Sequence, residues 1–297
     1  MPQLPHSDSR SGFVDLHAHT NESDGSVAPV DLVALAQRAG LQALAITDHD
    51  TLSGYEIAAP FARQEGFDLL CGIELNTKMD ASPTSEGRTA HLLAYFLDGP
   101  PSGEFREWLT EQQNARRTRN RKLVESLRKR GVEITLAEVE ARGRSLAGRP
   151  HFARILVDKG YAGNSQDAFD RFIGEQAPSF VERQSISTER AIEIVRHSKG
   201  IPVLAHPIRL GLARDIEKET FARFKNAGLA GLEVYHSEHS PEMQAHYRQI
   251  AAELGLLPTG GSDFHGDAKP DIHLGSGLNG NVRVPREFVD GLRAFVG

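Results

Sequence analysis

Histidine and carboxylate side chains recur at the ends of short apolar segments of this sequence. The segment FVDLH ends at His17 and is followed by Ala18 and His19. Residues i and i+2 of an extended chain point the same way, so both imidazoles can reach one ion. Other apolar segments lead into single histidines or carboxylates, and the last one leads into GSDFH. The candidates of this kind are His17, His19, Asp24, His49, Glu74, His91, His206, Asp263 and His265.

Such a set of side chains predicts a metal site. Three carboxylates and six imidazoles in a dry cluster would be costly without cations to neutralise and organise them. The chain has 13 histidines but a single cysteine, Cys71, which excludes a disulfide framework and a thiolate zinc cluster. Nitrogen and oxygen ligands without thiolate favour Mn, Fe or Zn over Ca or Mg. One ion takes about four to six ligands, so this set predicts two or three ions, bridged by a carboxylate such as Glu74.

The elements that must bring these residues together are short strands alternating with helices. Helical spacing and a glycine stop mark most of the segments between the strands, for example 30–40 and 243–255. Seven alternating strands predict an α/β fold with a parallel sheet, closed as a barrel, whose strands converge at their C-terminal ends on one mouth. The predicted strands are 13–17, 43–47, 69–74, 91–96, 201–206, 231–235 and 256–263.

Residues 98–182 interrupt this alternation. They contain no clear strand and are predicted to form several helices, inserted as a subdomain between the two parts of the barrel, 1–97 and 183–297. Residues 104–183 carry a net charge of +4, whereas the rest of the chain carries −10. A basic insertion beside an acidic site attracts anionic substrates. The alternative interpretation of these basic residues is that they form a solvated helix face.

The motifs resemble those of the PHP (polymerase and histidinol phosphatase) family. They are DLHAHTNESDGS, ITDHDTLSG, GIE, a single His91, AHP and GSDFH. More narrowly, the pattern is similar to stand-alone PHP phosphoesterases associated with 3′,5′-nucleoside bisphosphate hydrolysis and 5′-end trimming of short RNA. The resemblance implies a distorted (β/α)7 barrel with an inserted helical cap, and a site for up to three divalent ions. Mn²⁺ is the first candidate, and Fe²⁺ and Zn²⁺ are the others.

The resemblance also implies a division of the ligands among three ions. Asp24 stands where many PHP proteins have histidine, a change that keeps a ligand in place. One implied metal takes His17, His19, Glu74 and Asp263, the second Glu74, His91 and His206, and the third Asp24, His49 and His265. Of these, His17, His19, Glu74, His206 and Asp263 are the expected catalytic residues.

The insertion contains a candidate phosphate site. Gly148 permits close backbone approach, and Pro150 fits the first turn of a helix that extends to Lys159. A helix N-terminus flanked by arginine and histidine can bind phosphate, although an ordinary loop is the alternative. The residues predicted to bind substrate are Ser145, Arg149, His151, Arg183, Arg209 and His236.

The leading hypothesis is therefore a metal-dependent phosphomonoesterase. By metal-activated hydroxide it would remove the 3′-phosphate of 3′,5′-nucleoside bisphosphates such as pAp, leaving a 5′-nucleotide. A 5′-3′ exonuclease on short oligoribonucleotides and a histidinol-phosphate-type phosphatase are the alternatives, and the general acid is left open. C–N hydrolysis of the amidohydrolase type is disfavoured because Glu74 already supplies the bridging carboxylate. A non-catalytic nucleic-acid-binding module would not need the nine ligands.

Cellular location is predicted from absences in the sequence. No apolar run approaches the ~18 residues of a membrane span, and the first ten residues lack the features of a secretory signal. With one cysteine, the chain is expected to be cytoplasmic. We expect a nucleotide or short oligonucleotide as substrate, no membrane association and no obligate protein partner.

Overall fold

The structure is a computed structural model that describes residues 12–79, 88–144 and 146–296. Ser145 and the N-terminal segment used to predict the cellular location lie outside these residues. Within them, no helix is long and apolar enough to cross a membrane.

The centre of the fold is a nearly closed, barrel-like sheet of eight strands. The strands of the molecule are β1 (Phe13–Ala18), β2 (Ala43–Ile46), β3 (Asp68–Met79), β4 (Arg88–Phe96), β5 (Ile201–Leu204), β6 (Gly231–Tyr235), β7 (Leu257–Gly260), β8 (Ile272–His273), β9 (Gly277–Leu278) and β10 (Val284–Pro285). The sheet order is β10-β1-β2-β3-β4-β5-β6-β7, and β8 pairs with β9 separately. The predicted α/β barrel is confirmed.

Helices follow most strands, as the helical spacing predicted. They are α1 (Pro29–Arg38), α2 (Ser53–Gln64), α3 (Glu104–Arg128), α4 (Leu136–Arg142), α5 (Arg149–Asp158), α6 (Ser165–Ala168), α7 (Thr188–His197), α8 (Arg214–Asn226), α9 (Pro241–Leu254) and α10 (Glu287–Val296). A π-helical turn, Phe169–Ile173, continues α6. Helix α5 begins as predicted, with Pro150 in its first turn.

The prediction of an entirely parallel sheet was wrong at β4. This strand is antiparallel to both of its neighbours, and it pairs with β3 along nine residues in a register that places His91 opposite Asn76. Its reversed direction brings the beginning of β4 to the barrel end where β1 and β2 finish. His91 therefore reaches the same mouth as the histidines that follow the parallel strands. The short strand β10, also antiparallel, adds to the edge of β1.

The segment after β7 closes the barrel against β1. The backbone N–H of Asp263 donates to the carbonyl of His17 (2.8 Å), and that of His19 donates to the carbonyl of Phe264 (2.9 Å). A Cβ at Gly261 would lie only 2.3 Å from the backbone nitrogen of His17, so this approach needs glycine. Closure thus aligns GSDFH with His17-Ala18-His19.

The later turns of α3 and helices α4–α6 form a hydrophobic cluster separate from the barrel core. It includes Leu127 of α3, Phe152 and Leu156 of α5, and Ile173. The first turns of α3 instead pack on the barrel through Phe105. A separate core supports the interpretation of 98–182 as an inserted subdomain, whose boundaries stay a prediction.

Candidate metal centre and arginine-lined cavity

The carboxylate of Glu74 is the centre of the candidate site. It is buried on β3, and five imidazoles lie within 3.3 Å of its two oxygens. Oε2 lies 3.3 Å from His17 Nε2, 3.2 Å from His19 Nε2 and 3.1 Å from His49 Nδ1, and Oε1 lies 2.8 Å from both His91 Nδ1 and His206 Nε2. Burial alone would raise the pKa of Glu74, but the surrounding imidazoles outweigh burial and hold that pKa well below its usual value.

The structure brings together all four members of the first predicted ligand set, which are His17, His19, Glu74 and Asp263. Asp263 Oδ1 lies 3.5 Å from His17 Nε2 and 3.4 Å from His19 Nε2, the same two atoms that face Glu74 Oε2. Both Nε2 atoms are buried and form no hydrogen bond within the described residues. Four ligand atoms about 2.0–2.1 Å from a tetrahedral ion would lie about 3.4 Å apart, close to the separations observed. The residues present therefore fit a divalent ion.

The other two sets are recovered with changes in membership. The predicted set of Asp24, His49 and His265 gains His19, with ligand atoms that all lie within 4.8 Å of one another. Within it, His265 Nε2 lies 3.2 Å from Asp24 Oδ1. In the remaining set, His49 joins Glu74 and His91, while the predicted member His206 contacts Glu74 as described above. His19, His49 and Glu74 are thus shared between sets.

Glu233, which is not among the residues predicted from sequence, orients the first set. This buried residue of β6 accepts a hydrogen bond from His17 Nδ1 (2.9 Å) and another from the backbone N–H of His206 (2.6 Å). An imidazole that donates from Nδ1 presents the lone pair of Nε2, which is the arrangement that metal ligation requires. Burial lowers the pKa of His17, but the charges of Glu233, Glu74 and Asp263 outweigh burial and hold that pKa well above its usual value. The sequence signal that could have identified Glu233 was its position as an acidic residue within the apolar segment GLEVY.

A cavity of about 250 Å³ opens beside the metal-type residues His49, His91 and Asp24. Lys78, Glu175 and Glu182 line the same cavity, and four arginines line it as well. They are Arg116 and Arg119 of α3, Arg149 of α5, and Arg183. One cavity therefore joins the candidate metal centre to a strongly basic wall. Basic residues of the insertion and Arg183 form this wall, as the charge distribution predicted.

Three of the six predicted substrate contacts lie at this cavity: Arg149, His151 and Arg183. The guanidinium of Arg149 lies over the rings of Phe169 and Phe180, at 5.8 and 5.9 Å from their centroids. His151 Nδ1 accepts the backbone N–H of Gly148 (3.0 Å), which gives this imidazole a capping role at the start of α5.

The other predicted contacts lie elsewhere. Arg209 and His236 line a separate cavity of about 200 Å³ on the far side of Asp263. There, Asp263 Oδ2 lies 2.9 Å from Arg209 Nη2, 2.7 Å from Lys269 Nζ and 3.4 Å from His236 Nε2. Asp263 Oδ1 thus faces His17 and His19, whereas Oδ2 faces the cationic groups of this second cavity. Ser145 lies outside the described residues.

Comparison with known proteins places these features in a family. The family model for the PHP domain matches residues 15–177. The chain is 33% identical to the 5′-3′ exoribonuclease Rnm of Escherichia coli, over 89% of this chain and 88% of that protein. It is 30% identical to the 3′,5′-nucleoside bisphosphate phosphatase of Chromobacterium violaceum, over 85% and 87% of the two chains. A crystal structure from Bifidobacterium adolescentis, described as a metal-dependent phosphoesterase, superposes with a TM-score of 0.81 at 32% identity and covers 95% of both chains.

Replacement of Glu233 by glutamine should weaken metal binding. The two hydrogen bonds go to different carboxylate oxygens, from His17 Nδ1 to Oε1 and from the His206 N–H to Oε2. An amide has only one oxygen, so glutamine cannot keep both bonds, and no charged acceptor fixes the orientation of His17. The expected loss of affinity is about 10–100-fold, measured by competition between the full-length protein and a chelator for Zn²⁺ or Mn²⁺.

Glu217→Gln is the matched control. Glu217 is also a buried glutamate that accepts from an imidazole, His246 Nε2 at 2.6 Å, and from Tyr247 Oη at 3.0 Å, but it lies outside the candidate site. Wild-type metal affinity in both variants would show that Glu233 has no orienting role.

Proposed function

The chain belongs to the PHP family of metal-dependent phosphoesterases, and on this premise we propose that it removes the 3′-phosphate of 3′,5′-nucleoside bisphosphates. The products would be a 5′-nucleotide and inorganic phosphate. The single observation that supports this substrate class is the shared cavity, which His49 and His91 line together with Arg149 and Arg183. A substrate with one phosphate at the metal-type residues and a second at the arginines would place an anionic group in each of these two regions of the cavity.

The reacting phosphate would lie at the groups centred on Glu74. When bound there, divalent ions, with Mn²⁺ as our first candidate, would act as Lewis acids on phosphoryl oxygens and lower the pKa of a water molecule. His17, His19, Glu74, His206 and Asp263 are the residues that we propose to hold the central ions. Glu233 keeps His17 oriented, and Asp15 accepts from the backbone N–H of Ser262 (2.9 Å), which holds the Asp263 loop against β1.

The second phosphate would bind at the arginine-lined wall. A guanidinium presents a planar fork of donors that matches phosphate oxygens, and Arg149 stands in the first turn of α5, where backbone N–H groups also favour anions. Arg149 forms no ion pair with a carboxylate within the described part of the chain, so no acid holds its donors at hydrogen-bond distance, although Glu175 lines the same cavity and opposes the lowering of the Arg149 pKa by burial.

Exonucleolytic trimming of short 5′-phosphorylated RNA is the second candidate, and the likeness to an exoribonuclease supports it equally. The two reactions have the same local chemistry. In both, the phosphorus that reacts is attached to a 3′-oxygen, that oxygen leaves, and the same nucleoside carries a 5′-phosphate. The substrates differ only in one substituent of the reacting phosphorus. This substituent is a terminal oxygen in the bisphosphate and the 5′-oxygen of the next nucleotide in RNA.

A product screen with Mn²⁺ tests the proposal. We expect release of phosphate from adenosine 3′,5′-bisphosphate. The kcat/KM of this reaction should exceed the values for phosphate release from adenosine 3′-monophosphate and from histidinol phosphate. It should also exceed the value for release of 5′-nucleotides from a short 5′-phosphorylated RNA. A preparation of Asp263→Asn, which loses a predicted ligand, controls for contaminating phosphatases. Faster turnover of RNA would favour the second candidate, and preference for histidinol phosphate would refute both.

The replacement Arg149→Ala should reduce substrate selectivity. Loss of a charge-assisted hydrogen bond to the 5′-phosphate is expected to lower kcat/KM for adenosine 3′,5′-bisphosphate by about 10- to 150-fold. Adenosine 3′-monophosphate, which lacks that phosphate, should lose much less.

Arg142→Ala provides the control, since Arg142 is an exposed arginine of α4 that pairs with Asp158 at the surface. Its kinetics should match those of the wild type. Equal losses on the two substrates in Arg149→Ala would instead mean that Arg149 serves the reacting phosphate.

A further inference from the structure

Arg119 is a buried guanidinium without a carboxylate partner. Its side chain lines the cavity and is 7% exposed, its Nε forms no hydrogen bond, and no ion pair to it occurs within the described residues. Burial and the nearby charges of Arg116, Arg149 and Arg183 lower the pKa of Arg119 well below its usual value. An unpaired charge in such a place is costly to bury, and an anion in the cavity would remove that cost.

Asp50 is the carboxylate that holds the neighbouring guanidiniums. It is 1% exposed, and its Oδ2 accepts hydrogen bonds from both Arg116 and Arg183. Its Oδ1 accepts the backbone N–H of Asn76 (3.0 Å), and its backbone carbonyl accepts from Gln113 Nε2 (3.0 Å). Asp50 thus joins the loop after β2, strand β3, helix α3 and the segment that carries Arg183.

The backbone at Asp50 indicates a constrained position. Its φ of +52° lies in the left-handed region, which aspartate and asparagine tolerate better than most residues. The preceding residue, His49, belongs to two of the candidate metal groups. Asp50 therefore ties the position of the basic wall directly to the position of the metal-type residues.

The charges of the wall do not balance. Arg116 and Arg183 share Asp50, whereas neither Arg119 nor Arg149 forms an ion pair within the described residues. Glu175 and Glu182 also line the cavity, but Glu182 pairs with Lys78, and Glu175 acts on Arg149 only from beyond ion-pair distance. Two carboxylates, Asp50 and Glu175, among four guanidiniums still leave a surplus of positive charge facing the cavity. A phosphoryl dianion would neutralise much of this surplus, and several guanidiniums together can donate to its oxygens.

We propose that Arg119 is the innermost contact of a phosphoryl-binding subsite, and that Asp50 is the positioning residue that aims Arg116 and Arg183 at the same anion. This inference rests on the proposed function, because the subsite would hold the phosphate that is not cleaved. Asp50 itself does not touch that phosphate. Its role is to keep two like charges side by side at a fixed distance from His49.

Inorganic sulfate is the probe, because it resembles a phosphoryl group and is not hydrolysed. The measurement is the rise in Tm of the full-length, metal-loaded protein as sulfate is added at constant ionic strength. Wild type should be stabilised in a saturable way, and Arg119→Met should lose most of that shift. Sulfate bound at the metal-type residues would instead survive this change. Absence of a saturable shift in wild type, or an unchanged shift in Arg119→Met, would overturn the subsite.

Asp50→Asn tests the positioning role. Asparagine keeps the shape and tolerates the positive φ, but it cannot neutralise two guanidiniums. The apparent Kd for sulfate should rise about tenfold, while metal content stays at the wild-type level. Asp158→Asn, which removes the surface partner of Arg142 in the same helical region, should bind sulfate as wild type does. Wild-type sulfate affinity in Asp50→Asn would overturn the role of Asp50.

A second variant covers a failure of Asp50→Asn to fold. The double replacement Asp50→Asn with Arg116→Met removes both members of one buried pair, which is better tolerated than removing one. Sulfate affinity should still fall, because Arg116 itself is lost and Arg183 is no longer held, and unchanged affinity would refute the proposal. Since sulfate binding does not depend on turnover, a subsite can be demonstrated even if the bisphosphate is not hydrolysed, and hydrolysis can occur without the subsite.

Discussion

The structure around the mouth of the barrel depends on the burial of one carboxylate among five imidazoles. Glu74 has both of its oxygens in contact with histidines from different strands or strand ends. A buried carboxylate without partners would be strongly unfavourable, and histidines so closely packed would repel one another once protonated. Divalent cations resolve both problems, because neutral imidazoles and ionised carboxylates are the forms that bind metal. The strand ends, the reversed β4 and the closure at Gly261 all serve to bring these groups to one point.

Two regions of opposite chemistry therefore meet in one cavity. One side consists of imidazoles and carboxylates suited to cations, and the other consists of guanidiniums suited to anions. The separation between the two regions is held by short links, above all by Asp50, which follows His49 and binds Arg116 and Arg183. Such a fixed spacing favours substrates whose two anionic groups are a set distance apart. Under the proposed function, this spacing, more than the net charge of the chain, would distinguish a nucleotide with two phosphates from a simple phosphate ester.

Most of the candidate metal-ligating residues could be located from sequence because they stand at or just after a strand end, where topology alone decides their location, whereas Glu74 and His91 lie within β3 and β4. The His17-Ala18-His19 pair and the GSDFH segment are of this kind. The direction of β4 could not be predicted, because it is decided by pairing with β3 rather than by any pattern in its own residues. Glu233 and Asp50 were also missed, since their roles depend on partners 216 and 66 residues away, respectively, along the chain. The family resemblance assigned His19 and His49 to single ions, whereas in the structure each of them belongs to two candidate ligand groups.

The most direct test of the account is the metal content of the protein with and without the Glu74 carboxylate. Elemental analysis of the full chain after loading with Mn²⁺ and removal of excess ions should find two or three ions per chain in wild type. Glu74→Gln should retain at most one, in the group of His19, Asp24, His49 and His265, which does not include Glu74. A wild-type protein that hydrolyses its substrate with no more than one ion, or a Glu74→Gln protein with the wild-type number, would contradict the central role of this carboxylate.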